Sequence, residues 1–181
     1  MSLPNLITLA RLLAVPLVVW LILDGEMGLA FAVFVFAGIS DGIDGWIAKR
    51  WGQRTELGAL LDPIADKTLL VALYVTLGVA GHLPNSLVIL VVFRDLLIVG
   101  GFLLLQFMGQ SVRSRPLLIS KLNTGLQILL VATLLAQLGL GLGIGWAVKL
   151  LIYAVAATTV LSGAAYLVRW GRVLAGLEEP G

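Results

Sequence analysis

Apolar residues form six long stretches along the chain, and short polar or glycine-rich segments separate them. The stretches cover about residues 5–23, 28–48, 57–80, 87–108, 122–140 and 146–170. Each has about the 20 residues that an α-helix needs to cross the hydrocarbon core of a bilayer. Turn-forming residues lie between them, at Asp24-Gly25-Glu26, at 81–85 and at 139–145. The pattern predicts an all-α integral membrane protein with six transmembrane helices.

The composition agrees with a membrane protein and excludes other classes. Of the 181 residues, 60% are hydrophobic and 12% are charged, whereas a soluble domain has roughly 25% charged residues. Six helices use roughly 120 positions, so no room remains for a separate soluble domain, and we expect a single domain over residues 1–181. The absence of cysteine excludes a disulfide scaffold and a thiolate metal site.

Basic residues are concentrated on one side of the predicted bundle. They follow the second, fourth and sixth stretches, whereas Asp24, Glu26 and His82 lie in the other connections, with Lys149 as the basic exception. Basic connections stay in the cytoplasm, so both termini are predicted to be cytoplasmic. The first residues lack the features of a signal or transit peptide, which favours a bacterial cytoplasmic membrane. No basic block with interleaved aromatic residues occurs, so nucleic acid is not an expected partner.

Four aspartates stand at the facing ends of the second and third stretches. A charged group at the centre of a membrane helix costs about 2.5–3.5 kcal/mol, so their presence needs a reason. Asp41 and Asp44 are three residues apart. Asp62 and Asp66 are four apart, so each pair shares one face of its helix. Because a short connection makes the two helices antiparallel, the four carboxylates can converge at one point near the cytoplasmic surface.

Four like charges in one place repel each other unless a cation lies among them. Carboxylate oxygens without His or Cys favour a hard cation such as Mg²⁺ or Mn²⁺, and a cluster of this size can hold two ions that bridge a pyrophosphate. Gly45 and Gly58 let a ligand approach the backbone, and Ala48 keeps the same face open. Lys49 places a positive charge at the rim, where it can meet a phosphate. The alternative for the two glycines is helix packing alone.

This set of residues resembles the signature of the CDP-alcohol phosphatidyltransferase family. The segment reads Asp41-x-x-Asp44-Gly45-x-x-Ala48-Lys49, then eight residues, then Gly58-x-x-x-Asp62-x-x-x-Asp66, and its four aspartates, two glycines and alanine match the family. One position departs from the pattern, because Lys49 stands where the family usually has Arg. The charge is kept, but the flat bidentate fork is lost, and the adjacent Arg50 can share the phosphate contact.

The resemblance implies a membrane enzyme with six transmembrane helices, usually a homodimer, that cleaves the pyrophosphate of a CDP-linked lipid and releases CMP. An acceptor hydroxyl attacks the phosphorus attached to diacylglycerol, and Asp66 is the implied general base. The implied ligands of two divalent metal ions are Asp41, Asp44, Asp62 and Asp66. The positions implied to bind CDP-diacylglycerol are Gly45, Ala48, Lys49 and Gly58.

Two later segments resemble the cardiolipin synthases of this family, whose acceptor is phosphatidylglycerol. Arg94-Asp95 stands where phosphatidylglycerophosphate synthases tend to have Arg-Glu, and residues 119–127 resemble a stretch of the eukaryotic-type cardiolipin synthases. The alternative is a phosphatidylglycerophosphate synthase, which uses glycerol 3-phosphate. The opening Pro4-Asn5-Leu6-Ile7-Thr8 with Arg11 resembles both groups.

Residues near these segments are candidates for binding the acceptor. They are Arg94, Arg113, Arg115, Lys121 and Asn123. For the loop residues the alternative is the ordinary positive-inside distribution. Because Arg94 and Asp95 lie within an apolar stretch, we expect them to pair with another group or to line the cavity. Asn123 and Gln127, one turn apart, either line the cavity or hydrogen bond a neighbouring helix.

Two other functional classes stay open. A small ion or proton transporter also clusters carboxylates in the membrane, but transporter sites often lie near the midplane at broken helices. The aspartates of this chain crowd toward one face beside a basic loop, which favours a headgroup site. A membrane scaffold without chemistry is the third class, and its function would not depend on Asp66.

Overall fold

The computed structural model describes the backbone of residues 3–51, 56–107 and 117–175, and side chains at 12–40, 67–101, 103–105, 107, 117–173 and 175. Six α-helices and no strand occur in these ranges. The helices are α1 Leu3–Leu23, α2 Met27–Trp51, α3 Glu56–Val79, α4 Asn85–Phe107, α5 Leu118–Leu140 and α6 Gly145–Leu174. The all-α prediction and the number of helices are therefore confirmed.

The helix ends differ from the ends of the apolar stretches by up to four residues. The largest difference at a helix start is at α5, which begins at Leu118 where the sequence predicted 122. The amides of Ser120 and Lys121 both bond the carbonyl of Leu117, at 2.9 and 3.2 Å. Polar side chains in a first turn do not prevent helical hydrogen bonding, so the helix extends beyond the apolar residues that hydropathy detects.

Two helices end in the same glycine motif, at the connections where the sequence predicted turns. Gly25 has φ 83° and Gly81 has φ 77°, a left-handed conformation that favours glycine. After α1, the amide of Glu26 bonds the carbonyl of Leu21 at 2.9 Å. After α3, the amide of His82 bonds the carbonyl of Leu77 at 2.8 Å. These bonds from the sixth residue to the first are those of a Schellman motif, which satisfies the last carbonyls of a helix.

Three helical segments of the described ranges are long and apolar enough to cross a membrane, judged by length and composition. They are Asn85–Leu105, Leu118–Leu140 and Gly145–Val173. Shorter apolar helical segments are Leu12–Leu23, Met27–Ser40 and Lys67–Val79. Large apolar side chains face outward, with Phe36 74% exposed and Tyr153 75% exposed. A surface of this kind suits hydrocarbon, and the chain is an integral membrane protein; the count of six spans stays a prediction.

The residues group into two compact units, and the prediction of a single domain stays a prediction. The first unit contains residues Met1–Leu83 and Val131–Gly145. In it α1 packs against α2 and α3, and its core includes Val18 of α1 and Leu73, Tyr74 and Leu77 of α3, all fully buried. The α3 residues recur at the spacing of one helix face.

One close backbone contact in the first unit joins the start of α2 to the end of α5. A Cβ atom added to Gly139 would lie 2.6 Å from the Cα of Gly28 and 2.7 Å from its amide nitrogen. Only a glycine fits at position 139 without moving the backbone of α2. Small residues at helix contacts are typical of membrane proteins, because they let backbones approach.

The second unit contains residues Pro84–Leu130 and Trp146–Gly181. On α4 the buried positions include Leu87, Val91, Arg94 and Asp95, which lie on one helix face. Neighbouring α4 side chains such as Phe93 and Leu96 are 63% and 67% exposed. The buried face of α4 therefore carries its charged pair, and the outward face is apolar.

Replacing Gly139 with Ala is expected to destabilise the protein. The new Cβ would meet backbone atoms of Gly28, and overpacking of this kind costs about 1–3 kcal/mol. The matched control is Gly38→Ala, because no atom lies within 4 Å of a Cβ added there and alanine favours helix. We expect a lower apparent Tm in detergent for the Gly139 variant only. Equal Tm values for the two variants would contradict the close contact.

Candidate functional site

The four aspartates of the sequence signature are divided between two helices. Asp41 and Asp44 lie in the second half of α2, and Asp62 and Asp66 lie in the first half of α3. Both helices have α1 as a packing partner. The aspartate side chains lie outside the described part of the structure, so their convergence stays a prediction.

The positions predicted to bind the donor lie on the same two helices. Gly45, Ala48 and Lys49 belong to α2, and Gly58 belongs to α3. Their surroundings also lie outside the described side chains. Lys67, which follows Asp66, is the first residue after the signature whose side chain is described. The Lys67 side chain is partly buried and has an interaction partner.

The predicted acceptor residues fall into three groups. Arg113 and Arg115 lie outside the described residues. Lys121 lies exposed in the first turn of α5. Arg94 and Asn123 are buried, at 3% and 0% exposure. Of the described candidates, only Lys121 is accessible to an outside ligand.

Arg94 of α4 contacts side chains of two other helices. Its Nη1 donates a hydrogen bond to Oδ1 of Asp95 at 2.7 Å. Its Nη2 donates to Oγ of Ser120 on α5 and to Oγ of Ser162 on α6, each at 2.6 Å. Its Nε donates to the same oxygen of Ser162 at 3.2 Å. These four residues form what we call the Arg94 cluster, in which one guanidinium joins three helices.

In the cluster Arg94 and Asp95 pair with each other, which is the first of the two alternatives raised by the sequence. The cluster leaves little of the guanidinium for a ligand. Arginine has five N–H donors, of which one from Nε, one from Nη1 and two from Nη2 are used in these bonds. Bidentate binding of a phosphate needs two parallel N–H groups, so a phosphate would have to displace Asp95 or a serine. The buried charge is neutralised within the pair, as an apolar interior requires.

Asn123 of α5 hydrogen bonds α6 about one turn from the Arg94 cluster. Its Oδ1 accepts from Oγ1 of Thr158 at 2.8 Å and from Oγ1 of Thr159 at 2.9 Å. Its Nδ2 is buried and has no hydrogen-bond partner among the described residues. Exchanging the Oδ1 and Nδ2 atoms of Asn123 would leave the oxygen, instead of the nitrogen, without a partner among the described residues. Of the two alternatives raised by the sequence, bonding to a neighbouring helix is the one observed.

Sequence reasoning missed the partners of these two residues. Thr158, Thr159 and Ser162 stand at positions i, i+1 and i+4 of an apolar helix, and this spacing is the signal for a polar face. The signal is weak, because a hydroxyl can bond its own helix. The Thr158 hydroxyl also lies 2.8 Å from the carbonyl of Ala154, so its single hydrogen is shared between that carbonyl and Asn123. A hydroxyl in an apolar helix therefore does not by itself indicate a contact between helices.

Comparison with known proteins agrees with the signature. The family model described as CDP-alcohol phosphatidyltransferase matches residues 1–162. A cardiolipin synthase (CMP-forming) / mitochondrial hydrolase fusion protein of Schizosaccharomyces pombe is 34% identical, over 92% of this chain and 31% of that protein. A cardiolipin synthase (CMP-forming) of Homo sapiens is 33% identical, over 75% of this chain and 50% of that protein.

A relative with a different acceptor is also similar. The chloroplastic CDP-diacylglycerol–glycerol-3-phosphate 3-phosphatidyltransferase 1 of Oryza sativa subsp. japonica is 32% identical, over 96% of this chain and 58% of that protein. The chain spans 31% of the length of the Schizosaccharomyces pombe relative and 50% of the human one. The similarity thus covers most of this chain but only part of each relative.

Replacing Asn123 with Ala is expected to weaken the contact between α5 and α6. The substitution removes the acceptor of two threonine hydroxyls, and polar contacts between membrane helices contribute about 0.6 kcal/mol on average and up to about 1.7 kcal/mol. The control is Thr124→Ala, because among the described residues the Thr124 hydroxyl bonds only the Ser120 carbonyl of its own helix. Thermal unfolding in detergent should give a lower Tm for Asn123→Ala than for the control. The reverse order would contradict this assignment.

Proposed function

Because the chain belongs to the CDP-alcohol phosphatidyltransferase family, we propose that it is a cardiolipin synthase, which transfers a phosphatidyl group from CDP-diacylglycerol to phosphatidylglycerol and releases CMP. The observation that carries this proposal is the sequence similarity to two CMP-forming cardiolipin synthases. One is 34% identical over 92% of the chain, and the other is 33% identical over 75% of the chain. The signature aspartates on α2 and α3 supply carboxylates for the reaction.

The proposed reaction is a substitution at one phosphorus atom. A hydroxyl oxygen of phosphatidylglycerol forms a bond to the phosphorus that carries diacylglycerol, and the bond from that phosphorus to the oxygen of CMP breaks. CMP leaves with the bonding electron pair. Asp66 takes the proton of the attacking hydroxyl as general base.

The donor set of the two signature helices fits divalent metal ions. Its four carboxylates are hard oxygen ligands, and no His or Cys lies on α2 or α3, which favours Mg²⁺ or Mn²⁺ over softer metals. We assign the ligands to Asp41, Asp44, Asp62 and Asp66. When bound, two such ions offset negative charge on the pyrophosphate oxygens.

Other residues are assigned to the two substrates by type and position. Gly45, Ala48 and Gly58 allow the donor pyrophosphate to approach the helix backbone, and Lys49 supplies a positive charge for a donor phosphate. Lys121 is our principal candidate for the acceptor phosphate, because it is exposed at the start of α5. Arg113 and Arg115 precede it in the chain, and we assign them to the acceptor phosphate together with Lys121.

The membrane arrangement is part of the proposal. We assign all six helices to the membrane, with both termini and the aspartates on the cytoplasmic side, because the basic connections follow the positive-inside pattern. A bacterial cytoplasmic membrane is the proposed location. A homodimer is proposed from the family resemblance alone.

A phosphatidylglycerophosphate synthase is the second candidate. The specific observation in its favour is the rice relative, which aligns with 96% of the chain at 32% identity. Its acceptor, glycerol 3-phosphate, is water-soluble and carries up to two negative charges, whereas phosphatidylglycerol carries one and arrives through the bilayer. Both reactions release CMP, so only the lipid product separates them.

The product of the purified protein tests the choice of acceptor. With CDP-diacylglycerol and Mg²⁺ or Mn²⁺ in detergent, phosphatidylglycerol should yield CMP and cardiolipin, identified by mass spectrometry. Glycerol 3-phosphate, offered separately, should yield no phosphatidylglycerophosphate. The opposite pair of products would establish the second candidate and overturn the first.

Replacing Asp66 with Asn should abolish the reaction while the protein stays folded. Loss of a general base lowers the rate about 100-fold or more. Asp24→Asn is the matched control, because Asp24 is exposed in the turn between α1 and α2. CMP release and thermal unfolding would be measured on both variants. Activity of the Asp66 variant equal to that of the control would exclude the proposed base.

Chelation tests the metal assignment. Because four carboxylates repel each other without a cation, EDTA should remove CMP release, and an excess of Mg²⁺ or Mn²⁺ should restore it. Cardiolipin formation that continues at full rate in EDTA would contradict a site for divalent ions on α2 and α3.

A further inference from the structure

The Arg94 cluster joins the first turn of α5 to α4 and α6. Ser120 lies in the first turn of α5, and its hydroxyl is 2.6 Å from Nη2 of Arg94. The same nitrogen is 2.6 Å from Ser162 of α6. A single planar group therefore connects the first turn of α5 to both neighbouring helices of the second unit.

The residue after Ser120 is Lys121, whose side chain is exposed. Successive residues of a helix point about 100° apart, so a bond that holds Ser120 toward Arg94 also determines the direction of Lys121. Within this first turn, the backbone amides of Ser120 and Lys121 donate to the same carbonyl, that of Leu117. Among the described residues, the bond that the Ser120 hydroxyl accepts from Arg94 is the only hydrogen bond joining this hydroxyl to another helix.

We propose that Arg94 is a positioning residue of the acceptor site: through Ser120 it holds the first turn of α5 so that Lys121 meets the acceptor phosphate, and Arg94 itself does not touch the acceptor. This inference rests on the proposed function. The positioning role takes the place of the direct acceptor binding predicted for Arg94 from the sequence, because four of the five N–H groups of Arg94 bond other protein groups.

The shape of arginine is required for this role. The guanidinium fork reaches Asp95 on its own helix and two serines on other helices at once, whereas a lysine ammonium is a single point charge. Arg94→Lys keeps the charge but should lose the bridge between helices. Direct electrostatic attraction of the acceptor by Arg94 would instead survive this substitution.

The test is a double-mutant cycle between Ser120→Ala and Lys121→Gln, read as the KM for the acceptor in CMP-release assays. Ser120→Ala removes one hydrogen bond and should raise that KM about three- to tenfold, with kcat and the KM for CDP-diacylglycerol within about twofold. In the Lys121→Gln background the same substitution should have no further effect, because interacting residues are non-additive. Arg94→Lys should give the same selective rise.

Three results would overturn the positioning role. In the first, Ser120→Ala raises the acceptor KM by the same factor in the wild-type protein and in the Lys121→Gln variant. Another is an equal rise in the KM for both substrates, which general destabilisation would produce. The third is an Arg94→Lys enzyme with the wild-type acceptor KM. The control is Thr124→Ala, which removes a hydroxyl that among the described residues bonds only its own helix and should leave all parameters unchanged.

The cycle is separable from the choice of acceptor. The wild-type product establishes which acceptor is used, and the cycle is measured with that acceptor. Phosphatidylglycerophosphate as product would overturn the proposal of cardiolipin synthesis. The positioning role would then be tested by the same cycle with glycerol 3-phosphate as acceptor. Absence of CMP release with either acceptor would overturn the proposed function and the positioning role together.

Discussion

The second unit depends on satisfying one buried guanidinium away from water. A charged group in an apolar interior must be paired and hydrogen bonded. Four of the five N–H groups of Arg94 find acceptors, and they do so only because α4, α5 and α6 all contribute. Asp95 neutralises the charge, Ser162 accepts two hydrogen bonds and Ser120 accepts one. Loss of any of these partners would leave an N–H group unpaired. The cluster therefore specifies the relative placement of three helices more strictly than apolar packing could.

Apolar contacts alone specify the packing of this protein poorly, because many large apolar side chains of the described residues are exposed as well as buried. On α4, Phe93 and Leu96 face outward while Arg94 and Asp95 are buried. In hydrocarbon the hydrophobic effect does not favour one apolar face over another, so small residues and polar contacts specify the packing. The Gly28–Gly139 contact serves the first unit in this way, as the Arg94 cluster serves the second.

The sequence predicted the helices well, and the reasons are physical. A run of about 20 apolar residues has few stable structures in a bilayer other than a helix, and Gly25 and Gly81 end helices where the turns were expected. The start of α5 was missed by one turn, because Ser120 and Lys121 are polar but still helical. Hydropathy measures the apolar part of a helix, whereas hydrogen bonding determines its true ends.

Composition, the length of the apolar runs and the spacing of the signature aspartates were sufficient to predict the membrane class, the helices and the family. The position of Arg94 and Asp95 within an apolar stretch also indicated that they pair with another group or line the cavity. The identity of their partners became evident only from the packing of the helices, since Ser120 and Ser162 lie 26 and 68 residues from Arg94 along the chain. No local pattern encodes such a distance. A single apolar helix has no preferred face, and the face that packs is selected only when the neighbouring helices are present.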